Sequence, residues 1–342
     1  MRKTWQDFRT DESGGVAVVV TLVLTAMLLT AALVIDLGHL TTVRSEIRKA
    51  AEAGAYAGAR ALGLPQGITD WNWDNGKATA VATVQQNFAD RLSLGDFTSA
   101  NVQVGFWDMS WDPRTEHDLL PTSTPSVIGK VAAVKVTVVK QQGGAGSSAP
   151  VAAYFASIMG IDSMGAKSTA VAEISPPTRI PYPDAFPFAL PYTWVENHWK
   201  DTATFQVAAN QHIDSGGQWT SFKSTDNAAA YIDSLLMGTV TGDSIGVGDS
   251  IYIQNGERAS IYNVAQTQVG EIRYIPVVTD GFLNGAFTTV VAYVPFEITY
   301  VNGSGSNPYV EGRFKPGWVD PKASGAGGTP YFGGQLPPKL VQ

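Results

Sequence analysis

The chain has 342 residues, of which 44% are hydrophobic and only 15% charged, and its formal net charge is −7. An acidic chain without a cluster of Lys and Arg excludes a nucleic-acid partner from the functions that we expect. The absence of cysteine excludes disulfides, thiolate metal sites and cysteine nucleophiles. The length is sufficient for about two domains and a membrane anchor.

The first predicted element is a membrane-spanning helix. Residues 16–35 (VAVVVTLVLTAMLLTAALVI) contain no charge, Pro or Gly, and about 20 helical residues cross the roughly 30 Å hydrocarbon core of a bilayer. The alternative is a cleaved signal peptide with a cleavage site near Thr30-Ala31-Ala32. Because the apolar part of a signal peptide has only about 7–15 residues, we predict a retained single-pass anchor that follows a cytoplasmic segment, 1–15.

The same helix is predicted to continue to residue 62, since residues 36–62 contain no Pro and are rich in Ala, Leu, Arg and Glu. Steps of three and four residues align small and apolar side chains in one seam, which is the spacing of helices packed side by side. This seam packs either on the chain's own domain or on a helix of another protein. The predicted helix-interaction residues are Asp36, Leu40, Val43, Ile47, Ala50, Gly54, Ala57, Gly58 and Ala61.

Three consecutive stretches of the N-terminal region carry a family resemblance. They are DESGGVAVVV (11–20), VIDLGHL (34–40) at the end of the apolar span, and RSEIRKAAEAGAYAGARAL (44–62). In this order they resemble the N-terminal module of TadG-like (TadE/TadG-like) proteins of Flp/Tad (tight adherence) pilus assembly.

This resemblance implies a membrane-anchored assembly component that acts by helix–helix association with pilus, pseudopilin or secretion-machinery subunits. The implied location is the bacterial cytoplasmic (inner) membrane, with the bulk of the chain in the periplasm or associated with the pilus. Related pseudopilins are cleaved after a Gly and carry Glu at the fifth position beyond it. Here Val19 is fifth after Gly14 and Val20 is fifth after Gly15, so we predict an unprocessed anchor.

Residues 63–175 are predicted to form a small α+β module, because helical and alternating patterns follow one another. The expected order is a helix at 75–92, strands at 102–106 and 134–138, a short apolar helix at 149–160 and a strand at 164–174. The stretch YFASIMGID (154–162) and the Ala/Val-rich run at 166–172 resemble the second half of the TadE/TadG-like periplasmic module.

The C-terminal half is predicted to be β-rich. Six prolines between 176 and 191 predict a linker or a surface strap and exclude a central strand or helix. Residues 192–315 are expected to form a β-rich domain, and residues 316–342 a poorly packed Gly/Pro-rich tail. The predicted fold class is therefore α+β: a long N-terminal transmembrane helix that extends into a small α+β domain, followed by a β-rich C-terminal domain.

The sequence gives little indication of catalysis or metal binding. HExxH and Gly-Lys-Ser/Thr do not occur, and the four histidines lie far apart. Gly-x-Ser-x-Gly occurs once, at 242–246 (GDSIG), but a predicted β run follows it instead of the helix that a nucleophile elbow requires. The stretch DWNWDNG (70–76) resembles a calcium loop, but its Gly is seventh instead of sixth, which favours a turn that caps the next helix. We predict no metal, no cofactor and no enzyme activity. The alternative from another class is a secreted hydrolase or carbohydrate-binding protein with a cleaved signal segment.

Four tryptophans are crowded in the middle of the chain. Trp71, Trp73, Trp107 and Trp111 could pack in a core or form an exposed aromatic contact surface, and the core is the favoured interpretation.

Overall fold

The computed structural model describes residues 13–63, 71–124, 129–201, 203–209, 217–226, 228–255, 259–303, 308–325 and 330–342. The chain divides into two compact units, and each is described by itself. The first, named the anchor unit, comprises Met1–Ala51, Thr83–Asn101 and Thr137–Thr169. The second, named the β-rich unit, comprises Glu52–Ala82, Val102–Val136 and Ala170–Gln342.

The first helix is much longer than the others: it has 50 residues and extends about 75 Å at 1.5 Å per residue. The α-helices are α1 Ser13–Leu62, α2 Trp73–Gln85, α3 Tyr192–His198, α4 Ala229–Leu236 and α5 Ala259–Ala265. Short 3₁₀ turns occur at Ser99–Asn101, Gly146–Ser148, Ala156–Met159, Tyr182–Asp184 and Gln266–Gln268. The predicted continuous helix from residue 16 to residue 62 is confirmed.

The strands are mostly short and lie after α2. They are β1 Phe88–Ala89, β2 Leu92–Ser93, β3 Val102–Asp108, β4 Lys130–Lys140, β5 Val151–Ala152, β6 Ser163–Met164, β7 Ala166–Ile174, β8 Arg179–Pro181, β9 Phe188–Pro191, β10 Phe205–Ala209, β11 Gln218–Trp219, β12 Ser244–Gly246, β13 Ser250–Tyr252, β14 Ile272–Val278, β15 Phe287–Asn302, β16 Tyr309–Phe314, β17 Trp318–Val319, β18 Gly334–Gln335 and β19 Lys339–Leu340. One four-stranded sheet has the order β19-β7-β4-β3.

The anchor unit contains the first part of α1 and two small hairpins. Strands β1 and β2 pair antiparallel around Asp90 and Arg91, whose φ angles of 55° and 60° are those of a tight turn with both central residues left-handed. Strands β5 and β6 pair antiparallel, with Val151 opposite Met164. The residues between them carry a 3₁₀ turn, Ala156–Met159.

The β-rich unit is built on a seven-stranded sheet with the order β10-β16-β15-β14-β9-β11, and β13 pairs with β15 outside this path. All pairings in it are antiparallel except β14 with β9. Alternate side chains of β16 are buried, as expected for a strand with one covered face, whereas residues 292–296 in the middle of β15 are buried consecutively and therefore on both faces. Its fully buried aromatic side chains are Phe186, Phe188, Trp219, Phe222, Tyr262, Tyr274, Tyr293, Phe296 and Phe314. The predicted α+β class and β-rich C-terminal region are confirmed.

Two predicted helices of the middle region are wrong over part of their length. The helix predicted at 75–92 ends at Gln85, because the chain turns back after Asn87, whose side-chain amide donates to the carbonyl of Thr83 (2.8 Å). The helix predicted at 149–160 is replaced by β5 and the 3₁₀ turn. Gly160, with φ 81°, ends this turn.

The proline-rich segment 176–191 is not confined to the surface, so the exclusion of a central strand was wrong. Strand β9 lies inside the seven-stranded sheet, where Phe188 pairs with Trp219 and Leu190 with Val277. The prolines leave room for this pairing because Pro187 precedes β9 and Pro191 ends it, so that the residues between them keep their N–H groups.

The C-terminal segment 316–342 also differs from the expected loose tail. Its side chains of Phe332 and Leu336 are buried in the core of the β-rich unit, and β19 pairs with β7, with Leu340 opposite Ala172. These partners lie more than a hundred residues earlier in the chain, so the local Gly/Pro composition could not indicate them.

Candidate functional site

The apolar part of α1 is exposed along its whole length. In the described residues α1 is the one helix that is long and apolar enough to cross a membrane, and none of its most apolar window is buried inside the protein. Leu28 in the middle of this part is 62% exposed. The threonines of the run leave no free donor, since the hydroxyls of Thr21 and Thr25 donate to the carbonyls of Ala17 and Thr21 at 2.8 Å. Such a surface fits hydrocarbon.

Burial on α1 begins at Asp36, directly after the apolar run. The Asp36 side chain is 1% exposed, and its carboxylate accepts hydrogen bonds from the backbone N–H groups of Tyr154 (2.8 Å), Phe155 (3.0 Å) and Ala156 (2.6 Å). These are the first donors of the 3₁₀ turn, which have no partner inside the turn. Asp36 therefore acts as a capping carboxylate for a turn that is 118 residues away in the chain.

A second polar attachment lies one to three turns further along α1. His39 Nε2 is 2.8 Å from Asp90 Oδ1, and the backbone N–H of Asp90 donates to Glu46 Oε2, also at 2.8 Å. The ring of His39 lies 4.9 Å from the ring of Tyr154. In the anchor unit, one face of α1 thus holds both the β1–β2 turn and the loop between β5 and β6.

The predicted helix-interaction seam is largely internal. Eight of its nine residues are buried, and Ala57 is half-buried. Buried in the anchor unit are Asp36, Leu40, Val43, Ile47 and Ala50, and buried in the β-rich unit are Gly54, Gly58 and Ala61. Packing on the chain's own domain, which the sequence left open, is therefore what the structure shows for these side chains.

Gly58 explains why the seam changes to small residues. A Cβ atom at Gly58 would lie 2.9 Å from Ala80 Cβ and 2.9 Å from the carbonyl oxygen of Gly76. A Cβ at Gly76 would in turn lie 2.4 Å from Leu62 Cδ2. Helices α1 and α2 of the β-rich unit approach at backbone distance here, so the small-xxx-small step serves contact within the chain.

The crowded tryptophans divide between a core and a cleft. Trp107 is buried with Val131 and Val171, and Trp111 packs edge-on against it at 5.1 Å. Trp71 and Trp73 instead line a cleft of about 390 Å³ in the β-rich unit. The core interpretation therefore holds for the first pair, and an aromatic cleft is formed by the second.

Stacked rings make up most of this cleft. Trp71 stacks on Tyr331 with centroids 4.3 Å apart, and Trp199 meets the same ring edge-on at 5.5 Å. Glu196 and Lys200 of the α3 region also line it. Flat apolar rings beside a carboxylate and an ammonium are suited to a ligand that has both apolar faces and hydroxyl groups.

Within the described ranges no group of three or more His, Asp or Glu side chains could hold a metal ion. Asp70 of the calcium-like stretch lies outside the described residues. The turn before α2 instead uses Asn72, whose side-chain oxygen accepts from the N–H of Asn75 at 3.1 Å.

Within the described residues, the protein has one candidate membrane-spanning helix, and the second half of this helix carries buried side chains. Two family models match this region: residues 14–61 match the TadE/G-like Flp pilus-assembly family, and residues 45–172 match the Tad-like Flp pilus-assembly family Tad_C. Residues 14–172 are therefore similar to the Flp pilus-assembly Tad families, and the predicted resemblance is confirmed. No curated protein and no solved structure matches the chain.

Proposed function

We propose that the protein is a membrane-anchored, non-enzymatic component of Flp/Tad pilus assembly. It crosses the inner membrane once through residues 16–35, keeps its N-terminus in the cytoplasm and carries its bulk in the periplasm. The observation that supports this most directly is the change on α1 at Asp36, where a fully exposed apolar surface gives way to a buried seam. The family matches supply the pathway.

The exposed apolar residues 16–35 of α1 require an apolar environment. An apolar surface of this length exceeds the few hundred Å² that soluble monomers leave in water, and its backbone and hydroxyl groups are already hydrogen-bonded within the helix. Lipid can cover this surface, because it is apolar and because a helix is the one single-segment structure whose polar backbone groups need no outside partner.

Retention of the anchor and its orientation can be measured on the full chain. Intact mass spectrometry of protein extracted from membranes should show a chain that still contains residues 1–35. Because the chain has no cysteine, Leu283→Cys provides a single thiol on the β-rich unit, with Thr10→Cys as the control on the opposite side.

A membrane-impermeant maleimide should label Leu283→Cys in cells with a permeabilised outer membrane and an intact inner membrane. It should label Thr10→Cys only after lysis. A mature chain that begins near residue 33, or the reverse labelling pattern, would contradict the proposed anchor or its orientation respectively.

Contact with other Tad subunits is proposed for the exposed half of α1. The seam that was predicted for this role is occupied inside the chain, whereas Leu24 and Leu28 are exposed. In a membrane, helices associate through close packing of their side chains. The anchor would thereby lie beside the membrane helices of pilins or pseudopilins.

This contact can be mapped by site-specific photo-crosslinking in cells that produce the whole Tad system. Benzoylphenylalanine at position 24 should form an adduct that contains a Tad subunit, identified by mass spectrometry. The same label at position 47, which is buried, is the matched control and should form none. A Tad adduct at 47 and none at 24 would return the contact to the seam.

The aromatic cleft favours a second candidate function, recognition of a saccharide by the β-rich unit. Stacking on the partly exposed rings of Trp71, Trp73 and Tyr331 would hold a sugar ring. Isothermal titration of the detergent-solubilised chain with oligosaccharides should give binding that Lys200→Ala and Glu196→Gln weaken without a change in melting temperature. Absence of heat with every oligosaccharide would remove this candidate.

A further inference from the structure

The most exposed apolar surface outside the anchor itself is a loop of the anchor unit. Residues 151–161 (VAAYFASIMGI), named here the apolar loop, contain no charged residue. Ile158 is 77% exposed and Met159 is 70% exposed, and three further large side chains of the loop, Tyr154, Phe155 and Ile161, are exposed as well. Single exposed apolar residues are ordinary, but a contiguous set of this kind marks an interaction surface.

Most backbone N–H groups of the apolar loop already have hydrogen-bond acceptors. The N–H of Ala153 donates to Asp162, that of Ile158 to Phe155 and that of Ile161 to Ala156, at 3.0–3.1 Å. Tyr154, Phe155 and Ala156 donate to the Asp36 carboxylate. A loop with paired backbone donors loses little when it leaves water for an apolar environment, whereas an open loop would lose several kcal/mol per group.

The loop is attached to α1 where the proposed membrane span ends. Its first turn is hydrogen-bonded to Asp36, which directly follows residues 16–35, the proposed span. The Tyr154 ring contacts His39, one turn further along the helix. Tyrosine is enriched at the boundary between hydrocarbon and headgroups, because its ring is apolar and its hydroxyl group is polar.

We propose that the apolar loop inserts into the membrane interface beside the anchor, as a second contact of the anchor unit with lipid. This inference rests on the proposed single-pass anchor. The occupant is a phospholipid bilayer, because the loop is continuous with a surface that itself requires lipid and offers no charge for a polar partner. Two contacts, one spanning and one interfacial, fix the rotation of the anchor unit about the α1 axis.

Single nitroxide labels can test this in the full chain reconstituted into phosphatidylcholine/phosphatidylglycerol nanodiscs. The cysteine-free background permits Ile158→Cys and Met159→Cys as reporters, Leu28→Cys as the reference for lipid and Leu283→Cys, 71% exposed in the β-rich unit, as the matched reference for water. For each label, spin relaxation measures collisions with molecular oxygen, which concentrates in lipid, and with a water-soluble nickel chelate.

The ratio of oxygen to nickel accessibility at positions 158 and 159 should exceed that at 283 several-fold and lie between the values at 283 and 28. A water-like ratio at 158 and 159 with a lipid-like ratio at 28 would overturn the interfacial contact and leave the anchor in place. Low accessibility to both reagents at 158 and 159 would mean that protein covers the loop and would also overturn it. A water-like ratio at 28 would refute the anchor itself.

Discussion

The two halves of α1 have the same secondary structure and opposite surroundings. Residues 16–35 are apolar on every side and exposed, whereas residues 36–62 carry a buried seam on one side and exposed charges such as Arg44 and Arg60 on the other. A helix that is apolar all round suits a membrane, and an amphipathic one suits the surface of a folded domain. The comparison teaches that the function of each half follows from its polar pattern, since the backbone is the same.

The largest expected effect comes from one truncation placed in each half. Ile47→Ala should lower the free energy of unfolding by about 3 kcal/mol, because it opens a cavity at a fully buried side chain. Leu28→Ala should change it by less than about 0.5 kcal/mol, since that side chain contacts no part of the folded units. Urea unfolding of the detergent-solubilised chain, followed by circular dichroism, measures both. Equal losses of unfolding free energy in the two variants would contradict the difference between the two halves of α1.

A glycine pair gives the next effect. Gly58→Leu should destabilise the chain by up to about 3 kcal/mol, because the new side chain would collide with Ala80 and the backbone of Gly76. Gly38→Leu is the matched control in the same helix, where a Cβ has no neighbour within 4 Å. If Gly58→Leu unfolds normally and instead blocks pilus assembly, the seam faces a partner.

The boundary between the halves is tested at Asp36. Asp36→Ala leaves three backbone N–H groups without their acceptor and should cost about 2 kcal/mol. Hydrogen exchange of residues 154–156 should become faster. Asp162→Ala, at the exposed residue that directly follows the apolar loop, is the control and should leave both measurements unchanged. Unchanged protection in Asp36→Ala would show that the turn does not depend on this carboxylate.

The smallest effect is expected for the second polar attachment. A double-mutant cycle of His39→Ala and Asp90→Gly should give a coupling energy of about 1 kcal/mol. Gly is chosen because it removes the acceptor and adopts the left-handed φ of 55° at this position without strain. Additive losses would mean that the 2.8 Å contact adds nothing to stability and that Glu46 alone holds the hairpin.

Local patterns were sufficient for α1 and for the middle of β4. The apolar run and the seam of α1 extend over many residues, so they predicted a continuous helix at 16–62. Alternating valines predicted a strand at 134–138, which is the central part of β4, Lys130–Lys140. The family resemblance at 11–62 could likewise be recognised from the sequence, because its three parts lie in order within one short region.

Long-range partners explain what the sequence did not indicate. The capped turn at residues 154–156 depends on an acceptor 118 residues earlier, and YFASIMG by itself has the composition of a helix. Strand β9 forms through pairing with Trp219 and Val277, which lie far from it in the chain. The local composition showed only its prolines, which suggested a linker. The packing partner of the seam was left open for a similar reason. A small residue such as Gly58 allows close packing against Gly76 of α2 or against a second protein, and the sequence alone does not distinguish them.

The Asp36 hydrogen bonds also set an order of events during synthesis. The chain grows from its N-terminus, so residues 16–36 leave the ribosome long before the turn that caps Asp36 has been made. Its three donors therefore become available only after 118 to 120 further residues have followed. Under the proposed topology, the anchor enters the membrane before these hydrogen bonds can form, and they form once residues 154–156 have reached the same side.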